Sequence, residues 1–378
     1  MNIKRYYNAL ERRAFEYIYE RKGFKTKRKI VVIESDDWGS IRMPSKNIYS
    51  QLLNAGISVN QCHYNKYDSM ASKTDMGFLF ELLSKFKDKN NNPVIITANA
   101  VVANPDFEKI KKSGFREYHF ELFTDTLKRK TDNSVEKWKE GIKNKVFYPQ
   151  YHGREHLNVN RWLNYLKNNS QELKTAFEHE VFGISSTISK EKNPSFMAAL
   201  AVDNTFDYEK HNQILEEGYK LFEQIFDYKS LSFIAPNYTW HKQHENTLYK
   251  LGVRYLQGTI TQKRPLPKQI EKFEYHYTGQ VNVNNQIYLV RNCLFEPSSN
   301  QNKNWVDSCL SEINKAFNHQ RPAIICSHRV NFIGSIVPEN RDRNLKLFDE
   351  LLKRITQKWP DVEFFTSDQL GNLIEMES

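Results

Sequence analysis

Two adjacent carboxylates and two histidines four residues apart are the side chains of this sequence best suited to chemistry. Asp36 and Asp37 follow the apolar run 30–33, and His152 and His156 stand near the middle of the chain. Carboxylate oxygens and neutral imidazole nitrogens are common ligands of Zn²⁺. On a helix, histidines four apart share one face, so both could reach one divalent ion. The alternative interpretation is a solvated turn for the acids and a surface position for the histidines.

Two later apolar runs also end in polar side chains. Asn237 and Tyr238 follow one such run, and His328 and Arg329 follow another. In parallel α/β folds, catalytic side chains collect at the carboxyl ends of the strands. Each of these segments, taken singly, is also compatible with an ordinary turn or a structural histidine. Because the same arrangement recurs along the chain, the pattern favours one shared site.

The elements that must position these side chains alternate along the chain. Short runs rich in Val, Ile and Phe are separated by longer stretches with helical periodicity. The apolar runs are 30–33, 94–102, 118–120, 231–234, 253–256, 287–290, 323–326 and 362–365, and the helical stretches are 78–86, 162–177, 214–226, 310–317 and 345–355. This repetition predicts parallel strand pairing with right-handed crossovers. A closed (β/α) barrel accounts for so many strands more economically than an open sheet does.

Composition excludes several classes of protein. The 55 Lys and Arg against 45 Asp and Glu give a net charge of +10, but no run reaches five or six basic residues, so nucleic acid is not a predicted partner. No stretch approaches the roughly 18 consecutive apolar residues of a membrane span. The four cysteines lack C-x-x-C spacing, and charged residues interrupt the N-terminal stretch where a signal peptide would be apolar. We therefore expect a cytoplasmic protein.

The chain is expected to form one large domain with an N-terminal addition. Residues 28–378 are predicted to form the barrel, and an amphipathic helix within 1–27 is predicted to pack on it. The aromatic stripe and flanking basic residues of that helix are also compatible with peripheral contact with an anionic membrane surface. The polar stretch 124–146 is predicted to be a surface insertion.

The order of these motifs resembles that of the polysaccharide deacetylases, the NodB-homology family. An Asp-Asp pair after the first strand, an H-x-x-x-H motif, a strand ending at Pro236 and a late strand ending in His328 carry the resemblance, which spans roughly Lys29 to Leu370. It implies a distorted (β/α) barrel with seven or eight mostly parallel strands. It also implies a divalent metal ion, commonly Zn²⁺, and hydrolysis of N-acetyl or O-acetyl groups on a sugar or polysaccharide intermediate. Because the protein is expected to be cytoplasmic, we expect that intermediate to belong to the biosynthesis of a surface polysaccharide.

The resemblance assigns a role to each residue of the site. Asp37, His152 and His156 would hold the metal ion. Asp36 would act as general base, and His328 as general acid. Neighbouring side chains would contact the acetylated sugar or glycan; these are Trp38, Asn237, Tyr238 and Arg329. Tyr151 and Trp240 are further aromatic candidates for stacking on a sugar ring.

The sequence departs from the family pattern where the base should be supported. The arginine that normally steadies the base near the Pro motif is replaced by an apolar residue, and Arg42 or Arg329 could substitute for it. The separation between the Asp pair and the His pair is also long for the family. Further pocket candidates lie in that interval; they are Asn99, Asn104, His119 and Glu121.

Two other functions are compatible with parts of the sequence. His152 to His156 matches H-x-x-E-H, the motif of a zinc metallopeptidase class, in which Glu155 would activate water. That reading requires a long helix, whereas Gly153 lies inside the motif, and it gives Asp36 and His328 no role. A catalytically silent glycan-binding barrel is the third hypothesis, favoured by the missing arginine.

Overall fold

The computed structural model describes Phe15, residues 22–168 and residues 170–377. Most of the predicted N-terminal helix therefore lies outside the described residues, and its packing on the barrel stays a prediction. Phe15 itself stacks on Tyr275, with ring centroids 5.2 Å apart, and on Tyr277 at 6.5 Å. Within the described chain, no helix combines the length and the apolar composition that crossing a bilayer requires.

Thirteen strands occur in the described part of the chain. They are β1 (Lys29–Trp38), β2 (Ile96–Ala100), β3 (Ala103–Pro105), β4 (Phe120–Leu122), β5 (Phe147–Tyr151), β6 (Ser232–Ile234), β7 (Tyr255–Gly258), β8 (Thr261–Leu266), β9 (Ile270–Tyr275), β10 (Ile287–Val290), β11 (Cys293–Leu294), β12 (Ala323–His328) and β13 (Val362–Phe365). Nine belong to the central sheet, while β3 pairs with β4 and β8 pairs with β9 in separate hairpins.

The α-helices lie mostly between successive strands of the central sheet. They are α1 (Lys46–Asn54), α2 (His63–Tyr67), α3 (Lys73–Lys85), α4 (Phe107–Lys112), α5 (Phe123–Lys130), α6 (Val135–Lys143), α7 (Val159–Lys167), α8 (Gln171–Glu178), α9 (Asp207–Phe226), α10 (Lys242–Leu251), α11 (Trp305–Asn318), α12 (Pro338–Lys358) and α13 (Ser367–Glu377). Short 3₁₀ turns cover Val59–Gln61, Pro236–Tyr238 and Arg329–Phe332.

The central sheet follows a path that returns to its starting point. Its strand order is β10-β7-β6-β5-β2-β1-β12-β11, with β13 beside the start of β1, and every pair in it is parallel. The end strands β10 and β11 are successive pieces of one segment, separated only by Arg291 and Asn292. The segment pairs with β7 before these two residues and with β12 after them. Arg291 N–H donates to Gly258 O at 2.8 Å, and Asn292 N–H donates to Ile324 O at 3.1 Å. The predicted α/β fold with a mostly parallel sheet is confirmed. The nine strands correspond to the predicted eight when β10 and β11 are counted as one interrupted strand.

Side-chain alternation along β1 divides the core into two layers. Val31 and Ile33 pack against the outer helices, whereas Ile30 and Val32 face the interior with apolar residues of the other strands. This is the two-residue period expected of a strand that is buried on both faces. Helix α13 closes the amino-terminal end of the barrel, since Leu370 belongs to the same inner cluster. The carboxyl ends of the strands remain as the end that can carry a site.

The stretch 124–146, predicted as a polar surface insertion, is built into the barrel wall. It contains most of α5 and all of α6. Leu127 and Trp138 of these helices are buried, and Trp138 packs edge-on against Phe147 of β5 at 5.2 Å between ring centroids. The polar residues that suggested an insertion occupy the outer faces of two amphipathic helices.

Candidate active site

The first strand ends in a turn that brings two adjacent acids to one side. Successive residues of a strand point to opposite faces, so Asp36 and Asp37 would normally diverge. Asp37 has a φ of +72° and Gly39 a φ of +81°, which breaks the alternation. A Cβ at Gly39 would lie 2.4 Å from Val101 O, so the close approach as well as the positive φ requires glycine. Both carboxylates line the same cavity.

Asn104, predicted as an extra pocket residue, holds this turn in place instead. Its Oδ1 accepts from Ile41 N–H at 2.7 Å, and its Nδ2 donates to Gly39 O at 2.9 Å. The side chain is 1% exposed. Buried backbone groups need partners, and Asn104 satisfies two of them at the one place where β1 leaves its regular course.

The two histidines reach the site from a loop, not from the predicted helix. Strand β5 ends at Tyr151, and the next helix, α7, begins at Val159. Gly153 has a φ of +102°, a conformation that no helical residue adopts. The loop nevertheless places the rings of His152 and His156 at 5.1 Å between centroids, close to the spacing that a helical turn would give.

Asp37, His152 and His156 form a compact set of metal-ligand atoms. Asp37 Oδ1 lies 3.3 Å from His156 Nε2 and 3.7 Å from His152 Nε2, and all three side chains are buried. Two ligands about 2.1 Å from one ion and about 109° apart are separated by roughly 3.4 Å, given ordinary Zn–N and Zn–O distances. The spacing of this trio therefore fits tetrahedral ligation.

The hydrogen bonding of the trio also fits a cation. His152 Nδ1 lies 2.8 Å from Ile234 O and donates to it, which leaves Nε2 as a lone pair facing Asp37. Among the described residues, neither His152 Nε2 nor Asp37 Oδ1 has a hydrogen-bond partner. Two buried acceptors that face each other repel unless a proton or a metal ion lies between them. These residues fit a bound divalent ion.

The electrostatics keep Asp37 and His156 in the forms that bind metal. Burial, with help from Arg42 and the other histidine, lowers the pKa of His156 to about 3 against the opposing pull of Asp37. Burial alone would raise the pKa of Asp37, but Arg42 and the histidines outweigh it and hold that pKa well below its usual range. Arg42 reaches Asp37 Oδ2 at 2.9 Å and leaves Oδ1 free for the site. The candidate ligands thus include one carboxylate and a neutral His156, and the Nε2 of His152 also faces the site.

Asp36 is supported by an arginine that the sequence analysis did not find. Arg291 donates to both Asp36 oxygens, from Nη2 to Oδ1 at 2.6 Å and from Nη1 to Oδ2 at 2.7 Å. Its Nε donates to Glu34 Oε2 at 2.5 Å. Asn99, another predicted pocket residue, donates from Nδ2 to Asp36 Oδ1 at 2.7 Å. Burial would raise the pKa of Asp36, but Arg291 outweighs it and holds that pKa well below its usual range.

The two arginines proposed as substitutes have other partners. Arg42 binds the candidate ligand Asp37, as above. Arg329 forms a two-pronged pair with Asp68, Nε to Oδ1 at 3.0 Å and Nη2 to Oδ2 at 2.9 Å, and donates to Ser40 O at 2.8 Å. Its side chain is 1% exposed. The prediction that Arg329 contacts substrate is therefore wrong, because the guanidinium is fully used inside the protein.

His328 stands opposite Asp36 in the β1–β12 ladder and carries a carboxylate partner of its own. Its Nδ1 lies 2.5 Å from Glu296 Oε2, and its Nε2 lies 3.8 Å from Asp36 Oδ2. Burial would lower the pKa of His328, but Glu296 outweighs it and raises that pKa to about 10. The imidazole is therefore protonated at neutral pH, with its Nε2 edge towards the cavity.

A cavity of about 270 Å³ lies beside these groups, and some of the remaining predicted residues line it while others do not. Asn237 and Tyr238 line it, as expected of substrate contacts. Trp38 does not, because it is 1% exposed and packs edge-on against Phe147 at 4.7 Å between centroids. The turn at Asp37 directs it into the core, so the prediction that Trp38 contacts sugar is wrong.

Other candidates are used elsewhere in the described structure. Tyr151 and Trp240 are buried among apolar side chains. Glu121 pairs with Arg129, and His119 lies beside Glu117 at 3.6 Å on a half-exposed surface.

Glu155, the water-activating residue of the peptidase hypothesis, also points away from the cavity. Arg154 donates to both of its carboxylate oxygens, at 2.6 and 2.5 Å. Glu155 is not among the residues that line the cavity. Since the motif is also not helical, the geometry that this hypothesis needs is missing from the described residues.

Two residues of the site were missed, and one of them had a usable signal. Arg291 follows the apolar run Ile287–Val290, just as His328 follows its own run, so the strand-end rule applied to it equally. Glu296 lies 32 residues before His328 in a segment without regular structure. Nothing in the local sequence marks it.

No protein-family model matches the sequence, and none of the curated proteins matches it. Among solved structures, the chain is similar to a Mycobacterium smegmatis protein assigned as a polysaccharide deacetylase, at 10% identity and a TM-score of 0.48 over 94% of this chain and 93% of that one. A Pseudomonas aeruginosa PAO1 protein with the same assignment shows 9% identity and a TM-score of 0.47 over 93% and 92%. The allantoinase Puue shows 9% identity and a TM-score of 0.41 over 92% of this chain and 90% of that one. The chemistry of the site therefore rests on this chain's own residues.

Proposed function

We propose that this protein is a metal-dependent deacetylase that hydrolyses N-acetyl or O-acetyl groups on a sugar or a polysaccharide intermediate. The observation that carries the proposal is the assembly, in one cavity, of three metal-ligand side chains with a separate carboxylate and a separate protonated imidazole. Metal-dependent hydrolysis of an amide can use all three components.

Asp37, His152 and His156 would hold the ion, and Zn²⁺ suits one carboxylate with two imidazoles. When bound, such an ion supplies a Lewis acid that polarises a carbonyl and lowers the pKa of water. Asp36 is placed to accept a proton from the attacking water, because it is ionised at neutral pH and Arg291 fixes its orientation. Ligand and base are adjacent in sequence, yet each has its own arginine.

His328 is placed to donate a proton to the departing sugar nitrogen or oxygen. The Glu296 carboxylate keeps the imidazolium charged and fixes the ring, so that Nε2–H remains towards the cavity. An amide nitrogen is a poor leaving group unless it is protonated as the C–N bond breaks. Base and acid thus stand on neighbouring strands, with 3.8 Å between Asp36 Oδ2 and His328 Nε2.

The silent-barrel alternative depended on the missing arginine. Arg291 supplies the contact to the base from another strand end, so the motif departure no longer favours an inactive protein.

The four cysteines of the chain are free and three are buried, which suits a reducing compartment. We accordingly place the reaction in the cytoplasm, on an intermediate of surface polysaccharide assembly.

The test uses metal-depleted and Zn²⁺-reloaded protein with a panel of acetylated sugars, and it measures released acetate. Reloaded protein should release acetate, and Asp36→Asn should retain the metal while acetate release falls about 10²- to 10⁴-fold, the usual contribution of a general base. Metal binding and sugar binding without any acetate release from the whole panel would instead establish a silent glycan-binding barrel.

A further inference from the structure

Two segments from outside the barrel meet over the cavity and are joined by one buried asparagine. Asn65, in α2, donates from Nδ2 to Gly183 O at 2.7 Å, and its Oδ1 accepts from Ser185 N–H at 3.4 Å. The asparagine is 4% exposed. It therefore uses both ends of its amide to attach the segment 183–197, between α8 and α9, to α2.

Asn65 and the segment 183–197 form part of a wall of the cavity, and this wall continues on both sides of Asn65. Arg42, the partner of the ligand Asp37, also contacts Met197 Sδ at 3.3 Å from the far end of the segment. In the other direction, Tyr64 of α2 meets the ring of His328 edge-on, with centroids 5.4 Å apart. The cavity is thus bounded by joined side chains from Met197, across α2, to the proposed acid.

The size of the cavity limits what can enter it. Its volume of about 270 Å³ lies just below the roughly 300–1,000 Å³ of small-molecule sites, enough for about one sugar ring. A sugar within a polymer carries a neighbour on each side and needs two ways out. The joined wall occupies one side. At Tyr238 and His328 the cavity adjoins a second one of about 520 Å³, which has room for a single substituent. Ser185, Ser186 and Ser195 line the cavity with groups that can bond sugar hydroxyls.

We infer that the substrate is a free acetylated monosaccharide or the terminal unit of a glycan, and that Asn65 determines this specificity by holding the wall. The inference rests on the proposed function for its reaction and goes beyond it in naming the substrate class. Interior units of a polymer are excluded because they cannot pass between the segment 183–197 and α2.

The experiment compares three probes that differ only in where the N-acetyl group stands. They are a free N-acetylhexosamine and two trisaccharides that carry their single N-acetyl group on the terminal or the middle unit. Both binding, by calorimetry with Zn²⁺-loaded protein, and acetate release are measured. The free and terminal probes should be preferred over the middle probe by at least about tenfold in both readouts.

Substitutions of Asn65 test its part in the preference. Asn65→Ala should lower the preference for the terminal over the middle probe several-fold. It should also raise hydrogen exchange in residues 183–197, because the hydrogen bonds of Asn65 to Gly183 and Ser185 are lost. Asn65→Asp keeps the size and the acceptor but loses the donor to Gly183, and it serves if the alanine variant fails to fold. Asn144→Ala, at the exposed end of α6, is the matched control and should keep the wild-type ratio.

The outcomes separate this inference from the proposed function. Equal binding of the terminal and middle probes, or an unchanged ratio in both Asn65 variants, overturns the inference. Terminal preference in binding without acetate release from any probe supports the inference and overturns the deacetylase proposal.

Discussion

The pairing of Glu296 with His328 makes a quantitative prediction about pH. Glu296 raises the pKa of His328 to about 10, against burial, which lowers it. Glu296→Gln keeps the size of the side chain and removes the charge, so the pKa of His328 should fall to the ordinary value near 6.5 or below it. The protonated form of His328 is the proposed acid, and activity should therefore be lost as pH rises through this pKa.

The magnitude follows from the two pKa values. At pH 8, a group with a pKa of about 10 is about 99% protonated, whereas one with a pKa near 6.5 is about 3% protonated. Glu296→Gln should thus lower kcat/KM on an N-acetyl sugar about 30-fold at pH 8 and much less at pH 6. The alkaline limb of the pH profile should move to lower pH by about 3.5 units.

Two comparisons make the assay specific for the acid. An aryl acetate has a leaving group that needs little protonation, so its hydrolysis at pH 8 should change far less in the Glu296→Gln protein. Glu350→Gln removes a carboxylate from the exposed face of α12 and should leave the profile unchanged. Coincident alkaline limbs in wild type and Glu296→Gln, or equal losses on both substrates, would refute the assignment of His328.

The remaining predictions concern the ligands, the buried arginine and a peripheral pair. Asp37→Ala should lose bound Zn²⁺ by elemental analysis, whereas Glu155→Gln should keep it; full metal content in the alanine variant contradicts the ligand set. Arg291→Met should lower the free energy of unfolding in urea by about 3–5 kcal/mol, since it removes the guanidinium that pairs with the buried carboxylates of Glu34 and Asp36; a loss below 1 kcal/mol is incompatible with the pairing. A hydrogen bond from Arg28 lowers the pKa of Glu363 to about 2, so this pair stabilises the fold above pH 4.5 and loses its effect as pH falls towards 2. Glu363→Gln should therefore reduce thermal stability at pH 7 and approach wild type near pH 2, and an equal difference at both pH values would contradict the shift.

The fold was predictable because parallel strands that are buried on both faces have continuous apolar sequences. Ile30–Ile33 and the run before His328 are examples, and their polar ends mark the carboxyl edge of the sheet. The predicted ligands and the predicted acid and base do meet in one cavity. What the pattern could not provide is the conformation of single residues between elements.

Two errors share that physical origin. A spacing of four suggested a helix for His152 and His156, but a positive φ at Gly153 allows a loop to give the same separation. Strict alternation would send Trp38 to the same face as Asp36. The positive φ of Asp37 inverts the alternation at that point, so Asp37 joins Asp36 and Trp38 enters the core. Backbone choices of this kind depend on tertiary contacts, such as those of Asn104, that come from distant parts of the chain.

The position of Arg291 explains how the site can depart from a familiar motif and still support its base. In a closed ring of parallel strands, all carboxyl ends converge, so a guanidinium can reach Asp36 from any of several strands. Arg291 lies between β10, which pairs with β7, and β11, which pairs with β12. Its backbone N–H donates to Gly258 O, and its side chain binds Glu34 and Asp36 of β1. The residue that orients the base therefore also stands at the seam of the barrel. A loss of Arg291 should affect the fold and the chemistry together, whereas a loss of Glu296 should affect the chemistry alone.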